Sequence, residues 1–204
     1  MPVFLDRAKA HFESGLYFDP PNKRAFRLED SELAGMLFKR FGVQEMDFGW
    51  WDEPEQTMNL LEVKDYSEAP FNAEHYVNEC IQKATDCLLL LASIWYNLPY
   101  GQKVRDCLPD EWHSFPGAPP RLHLFFVIKE PPSADARATK DPLGMDALQG
   151  RVRNKMRGRI ELLHVTPATT LFLMNHRAAT VRRLPIKSSD DVLGAPAGSR
   201  PRRR

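Results

Sequence analysis

The spacing of hydrophobic residues changes along the 204-residue chain, and each change predicts a new secondary-structure element. Phe4 to Leu16 places apolar residues at helical spacing and predicts a short amphipathic helix. A second helix is predicted to begin near Asp30 or Ser31, because both residue types cap helix N-termini well. Gly42 is a typical stop for that helix.

Beyond Gly42 the pattern favours two strands. Val43 to Trp51 predicts the first, and Met58 to Asp65 predicts a returning strand. The polar segment 52–57 between them carries Pro54 and predicts a turn. The two strands and their short loop should form an antiparallel hairpin.

The rest of the chain predicts two more helices and two more strands. A long helix should follow the N-cap Asn72 and run to about Asn97. Leu122 to Lys129 is almost continuously apolar, as expected of a strand covered on both faces. Leu143 to Leu163 predicts a basic helix and Thr169 to Asn175 a further strand. This order predicts an α/β fold with a mixed β-sheet flanked by helices.

The hairpin predicts a specific pair of carboxylates. If its turn centres between Pro54 and Glu55, paired residue numbers sum to about 109, and Asp47 faces Glu62. Lys64 follows on the same face, since alternate strand residues share a face. Directly opposed Cβ atoms lie roughly 5 Å apart, so the two carboxylates would repel unless a cation lay between them. Mg²⁺ commonly uses one or two carboxylates together with water and phosphate oxygens.

Glu62 and Lys64 also have a simpler interpretation. Val63 between them should point into the core, and the charged pair could line a half-exposed strand face. Such a solvated pair would contribute little to stability.

The order of elements and motifs resembles the PD-(D/E)XK nuclease superfamily, the restriction-endonuclease-like fold. That family has a helix, a three-stranded meander, a second helix and a further strand. Its signature is an acidic residue on the second strand and (Asp/Glu)-x-Lys on the third. Met46-Asp47-Phe48 and Glu62-Val63-Lys64 match these two parts, and the resemblance covers about residues 28 to 130.

The chain departs from the family pattern at several positions. Met46 stands where the motif has proline, and Asp52 is a rival for the first acidic position. Asp47 is preferred, because Asp52 falls in the predicted turn. The first meander strand is missing unless Phe26–Leu28 or Phe41–Glu45 supplies it.

The resemblance implies a metal-dependent phosphodiester hydrolase. Asp47, Glu62 and Lys64 would be the catalytic residues, and Mg²⁺, with Mn²⁺ as an alternative ion, would be the cofactor. Lys64 would orient the attacking water or stabilise the phosphorane. The implied metal ligands are Asp47, Glu62, the backbone carbonyl of Val63, and Glu32 on the preceding helix, with Glu29 as second choice.

Charge is distributed unevenly although the net charge is only +1. Residues 151–204 hold 13 of the 28 basic and 3 of the 27 acidic residues, which leaves residues 1–150 acidic. A basic region beside an acidic one suits phosphate contact, although a solvated helix surface is the alternative. The predicted nucleic-acid-binding residues recur at every second position: Arg151, Arg153, Lys155, Arg157 and Arg159.

The domain prediction is one nuclease-like domain over residues 1–187, with a core at about 28–130 and a basic C-terminal part at 143–187. Residues 188–204 are predicted to be a disordered basic tail. The three cysteines are expected to be buried, reduced thiols. With no leader and no apolar run long enough to span a bilayer, we expect a cytoplasmic protein that does not bind membranes.

The favoured hypothesis is therefore a metal-dependent nuclease acting on nucleic acid, with DNA favoured over RNA. Cutting both strands of a duplex is consistent with a homodimer or a partner subunit. The alternative is a non-catalytic nucleic-acid-binding or interaction subunit on the same fold. Exposed aromatics would suit a partner surface, and Trp50 or Trp51 could cover the sheet edge or stack on a base. The aromatic candidates for a partner surface are Trp95, Tyr96, Tyr100 and Trp112.

Overall fold

A computed structural model describes residues 4–66, 71–113, 121–129, 144–162 and 169–188. The helices are α1 (Glu32–Phe41), α2 (Ala73–Trp95), α3 (Pro99–Arg105), α4 (Met145–Leu162) and α5 (His176–Val181). The strands are β1 (His11–Glu13), β2 (Leu16–Phe18), β3 (Phe48–Asp52), β4 (Thr57–Asp65), β5 (Arg121–Lys129), β6 (Thr169–Asn175) and β7 (Ile186–Ser188). The chain is a mixed α/β protein.

The main sheet has the strand order β3-β4-β5-β6. β3 and β4 form the predicted antiparallel hairpin, whereas β4, β5 and β6 run parallel. Within the hairpin Phe48 pairs with Leu61, and Asp52 pairs with Thr57. Both pairs sum to 109, so the predicted turn position is confirmed.

Helices α2 and α4 connect the parallel strands and pack together on one face of this sheet. Their apolar residues, with those of α1 and α3, form the larger core cluster. Asn72 caps α2 as predicted, since its side chain accepts a hydrogen bond from the backbone N–H of His75 at 3.0 Å. The ends of the predicted basic helix, Leu143 and Leu163, lie outside the described residues, but α4 occupies the segment between them.

A small three-stranded sheet, β1-β2-β7, and α5 cover the opposite face. The predicted helix over Phe4 to Leu16 is therefore wrong. Ser14 and Gly15 both have positive φ angles, 46° and 74°, and join β1 to β2 as a two-residue hairpin turn. Leu16 and Phe18 then point into the second core cluster. A turn signal therefore prevailed over a helical spacing.

Both faces of the main sheet are buried, which affects the two tryptophans of β3. Trp50 packs in the cluster beneath the small sheet, and its ring stacks at 6.1 Å on that of Phe125. Trp51 is buried in the larger core cluster between the sheet and the helices, the helix-side core. The expectation that one of them covers the sheet edge or stacks on a base is therefore wrong.

The free edge of β3 forms a backbone bridge with one residue of the N-terminal segment, Phe26. Phe26 and Gly49 exchange two backbone hydrogen bonds, at 2.8 and 2.9 Å, and form an isolated antiparallel bridge. The segment from Gly42 to Met46 contains no strand. β3 is consequently shorter at its start than the predicted strand over Val43 to Trp51.

Helices α3 and α5 and strand β7 were also not predicted. Helix α3 begins at Pro99, a residue that fits the first turn of a helix. Ser188, the first residue of the predicted tail, ends β7, and residues 189–204 lie outside the described part. The cysteines are free and buried, as expected. In the described segments, every helix is too short or too polar to cross a membrane.

Gly101 allows α3 to approach α2, which gives a stability prediction. A Cβ at this position would overlap the backbone of Ser93 and Ile94 in α2. Gly101→Ala should lower the free energy of unfolding by about 1–3 kcal/mol, because the backbones must separate. Gly158→Ala is the control, since Gly158 lies in α4 with nothing within 4 Å of its added Cβ. It should be neutral or stabilising by about 1 kcal/mol. Urea unfolding of both variants checks this, and equal stabilities would contradict the packing argument.

Candidate active site at the open end of the hairpin

The predicted acidic pair lies at the end of the hairpin away from its turn. Asp47 directly precedes β3, and continuing the register by one residue beyond Phe48 and Leu61 sets it opposite Glu62. Glu62 belongs to the same face of β4 as Leu60, which is part of the helix-side core. The pair therefore lies near the carboxyl end of parallel strands β4 and β5, the edge where α/β sheets commonly bind ligands.

Glu62 is a buried charged residue, with only 2% of its surface exposed. Its Oε2 lies 2.6 Å from Nζ of Lys83, and its Oε1 lies 3.4 Å from Nζ of Lys64. Burial raises the pKa of Glu62, while the two ammonium groups oppose that rise. The simpler interpretation of a solvated Glu62–Lys64 pair is therefore wrong, because α2 covers this face of the strand.

Asp47 is anchored to β4 through its carboxylate. The backbone N–H of Val63 donates to Asp47 Oδ2 at 2.7 Å. Burial raises the pKa of Asp47 well above its usual range, and the neighbouring charge of Glu62 raises it further. When both carboxylates are ionised they repel each other, and a cation bound between them would relieve that repulsion. The side chain of Val63 points into the opposite core, as predicted, and its role as a carbonyl ligand stays a prediction.

Lys64 provides a positive charge next to this pair. Burial lowers the pKa of Lys64, but the carboxylates of Glu62, Glu79 and Asp47 outweigh burial and raise it overall. Its Nζ lies 3.6 Å from Glu79 Oε1. Lys64 is therefore an ammonium ion at neutral pH, suited to binding an anion and unsuited to accepting a proton.

Sequence reasoning missed Glu79 and Lys83, which α2 contributes one turn apart. Lys83 follows the buried Cys80 by three residues and precedes the buried Cys87 by four, so it lies on the apolar stripe of α2. A charged residue on such a stripe was the available signal. Glu79 also accepts a hydrogen bond from the Tyr66 hydroxyl at 3.4 Å.

Glu32 is not brought into this group. It is exposed at the first residue of α1. Glu29, the second-choice metal ligand, pairs with Arg27, which also pairs with Glu13. Among the described side chains, no three His, Cys, Asp or Glu residues are grouped as metal ligands would be. The structure therefore assembles Asp47, Glu62 and Lys64 without the expected ligand from α1.

The five basic residues of α4 do not form one face. Arg151 and Lys155 both pair with Glu74 of α2. Arg153 turns the other way, and its Nε donates to the Leu171 carbonyl at 2.9 Å. All five residues are exposed to solvent: Arg151, Arg153, Lys155, Arg157 and Arg159. Their contact with nucleic acid stays a prediction.

The aromatic candidates for a partner surface also separate. Trp112 is completely buried, and its ring meets that of Phe26 edge-on. Trp95 is partly buried and donates to the Trp112 carbonyl at 3.2 Å. Tyr96 and Tyr100 are exposed. A partner surface at this end of α2 can therefore use the two tyrosines but not Trp112.

The raised pKa of Asp47 predicts a pH-dependent stability. Because the folded protein binds this proton more tightly than the unfolded chain, whose carboxyl has the ordinary pKa of 3.8, stability falls as pH rises through the interval between the two values. Asp47→Asn keeps an acceptor for Val63 N–H without the charge. In buffer with chelator it should be more stable than the wild type at pH 7, and the difference should shrink toward pH 4.

Urea unfolding across this pH range measures the effect. Glu55→Gln is the control, because Glu55 is exposed and its Oε2 lies 3.6 Å from Arg121 at the far end of the hairpin. A wild type more stable than Asp47→Asn at pH 7 would contradict the burial cost assigned to this carboxylate.

Comparison with protein-family models, with curated proteins and with solved structures gave no match for this chain.

Proposed function

We propose that this chain is a metal-dependent nuclease of the PD-(D/E)XK type, which hydrolyses phosphodiester bonds in nucleic acid, with DNA favoured over RNA. The observation that carries the proposal is the position of Asp47 opposite the buried Glu62. Burial raises the pKa of both carboxyl groups, and the charge of Glu62 raises the pKa of Asp47 further. Lys64 adds an ammonium group on the same face.

The order of elements supports a restriction-endonuclease-like core. Helix α1, the hairpin β3–β4, helix α2 and the parallel strand β5 follow the sequence of that fold. The single bridge between Phe26 and Gly49 lies on the free edge of β3, where the first meander strand would pair. We infer that this strand is reduced to one residue, from the Phe26–Leu28 segment.

The residues at the site fit a divalent cation. Asp47 and Glu62 supply two hard oxygen donors, and Mg²⁺ often takes one or two carboxylates and keeps several waters. The Val63 carbonyl would be a third donor. When bound, Mg²⁺ or Mn²⁺ would activate water and neutralise charge on the phosphate. Glu32 has no part in this set.

The side chains around the carboxylates would position the substrate. The ammonium of Lys64, held by Glu79 and Glu62, would donate to a non-bridging phosphate oxygen or orient the attacking water. The Val63 N–H keeps Asp47 Oδ2 in place. Helix α2 covers Glu62 and excludes bulk water from it, which strengthens these electrostatic interactions.

One observation favours a second candidate, a non-catalytic nucleic-acid-binding protein on the same fold. Glu62 already has two lysine partners, so its charge is compensated without any metal. In that case calorimetry would detect salt-sensitive DNA binding but no Mg²⁺ or Mn²⁺ binding.

Cleavage assays with two variants test the nuclease proposal. Lys64→Met and Asp47→Asn should each lower the rate of Mg²⁺- or Mn²⁺-dependent cleavage by about 10²- to 10³-fold, because each removes a charge that stabilises the transition state. Double-stranded DNA, single-stranded DNA and RNA should be offered in turn, and chelator should stop the reaction.

Glu55→Gln, at the turn of the same hairpin, is the matched control and should cleave at the wild-type rate. Circular dichroism should show all three variants folded. Cleavage that survives both site substitutions would assign the activity to another site or to a contaminant, and the proposal would fail.

A further inference from the structure

Lys83 lies against the acidic pair from the helix side. It stands one turn after Glu79 on α2, its side chain is 15% exposed, and its Nζ lies 2.6 Å from Glu62 Oε2. This distance is shorter than the 3.4 Å between Glu62 Oε1 and Nζ of Lys64, the other lysine partner of Glu62. Lys83 therefore pairs with Oε2 of Glu62, one of the two oxygens through which this carboxylate could bind a cation.

The charges of the site show what Lys83 does to a second cation. Three carboxyl groups and two ammonium groups meet here, and with all five ionised, the state that binds a cation, they leave one net negative charge. A divalent ion would turn this balance positive while Lys83 is in place. Without Lys83 the same ion would neutralise the site. The residues that make up this balance are Asp47, Glu62, Glu79, Lys64 and Lys83.

We infer that Lys83 is an internal counter-ion that competes with the divalent cation for Glu62, so that metal uptake requires Lys83 to release this carboxylate. The inference rests on the proposed function, because it assumes a metal at the site. Lys83 is thus a positioning residue that acts through Glu62.

A second lysine shows how an ordinary structural pair differs. Lys129 at the end of β5 is 14% exposed, and its Nζ lies 3.6 Å from Asp65 Oδ2. Asp65 is three residues beyond Glu62 on β4, so its side chain belongs to the opposite face of the sheet. Lys129 is therefore about as buried as Lys83, but it does not hold an oxygen of the proposed metal site.

Release of Lys83 also predicts coupling between metal and nucleic acid. The lysine side chain has a flexible four-carbon stem, so its ammonium can leave Glu62 and bind a nearby phosphate. Bound phosphate would then favour metal uptake, and bound metal would favour nucleic acid by the same factor. Lys83 would carry this coupling.

The test is calorimetric titration of Mn²⁺ into the chelator-treated, full-length protein. Lys83→Met should bind Mn²⁺ about tenfold more tightly than the wild type or better, because a positive charge next to the ion has gone. Lys83→Arg keeps the charge and should bind like the wild type. Lys129→Met, the matched control, should also leave the affinity unchanged. Lys83→Gln replaces Lys83→Met if the methionine variant does not fold.

Repeating the titration with a short oligodeoxythymidylate present measures the coupling. The oligonucleotide should raise Mn²⁺ affinity in the wild type and raise it less in Lys83→Met. Wild-type binding of Mn²⁺ with equal or weaker binding by Lys83→Met would overturn the inference and leave the nuclease proposal standing. Absence of Mn²⁺ binding from the wild type and every Lys83 variant would overturn both.

Discussion

The burial of one carboxylate, that of Glu62, constrains much of the molecule. Moving a charged group out of water costs on the order of several kcal/mol unless oppositely charged partners compensate it. Here the partners come from two elements, Lys64 on β4 and Lys83 on α2. The Glu62–Lys83 pair depends on the position of α2 on the sheet, since a helix moved by one turn would place another side chain at Glu62.

This arrangement costs the folded protein stability. A core residue in place of Glu62 would need no counter-ions, and replacing buried ion pairs by apolar side chains often stabilises proteins. Asp47 adds to the cost, because burial and the charge of Glu62 both disfavour its ionised form. Packing alone does not require two neighbouring buried carboxylates. Acidic groups with strongly perturbed pKa values are concentrated at functional sites, so this pair marks a candidate active site.

Local signals in the sequence predicted the hairpin and the central strands well. The turn at Pro54 and Glu55 set the register, and the register placed Asp47 opposite Glu62. The continuous apolar run of β5 predicted a strand covered on both faces, as found. What the sequence could not supply was tertiary: which helix residue would face Glu62, and how the N-terminal segment would use its Ser14–Gly15 turn.

The N-terminal segment covers the free edge of β3 next to the candidate site. Phe26 pairs with Gly49 through two backbone hydrogen bonds, and its ring lies where a side chain on Gly49 would otherwise project. The same ring packs edge-on against the buried Trp112. A sheet edge covered in this way is protected at Gly49 from pairing with other chains. Because Asp47 directly precedes β3, this edge contact helps to keep its carboxylate within reach of Val63 and Glu62.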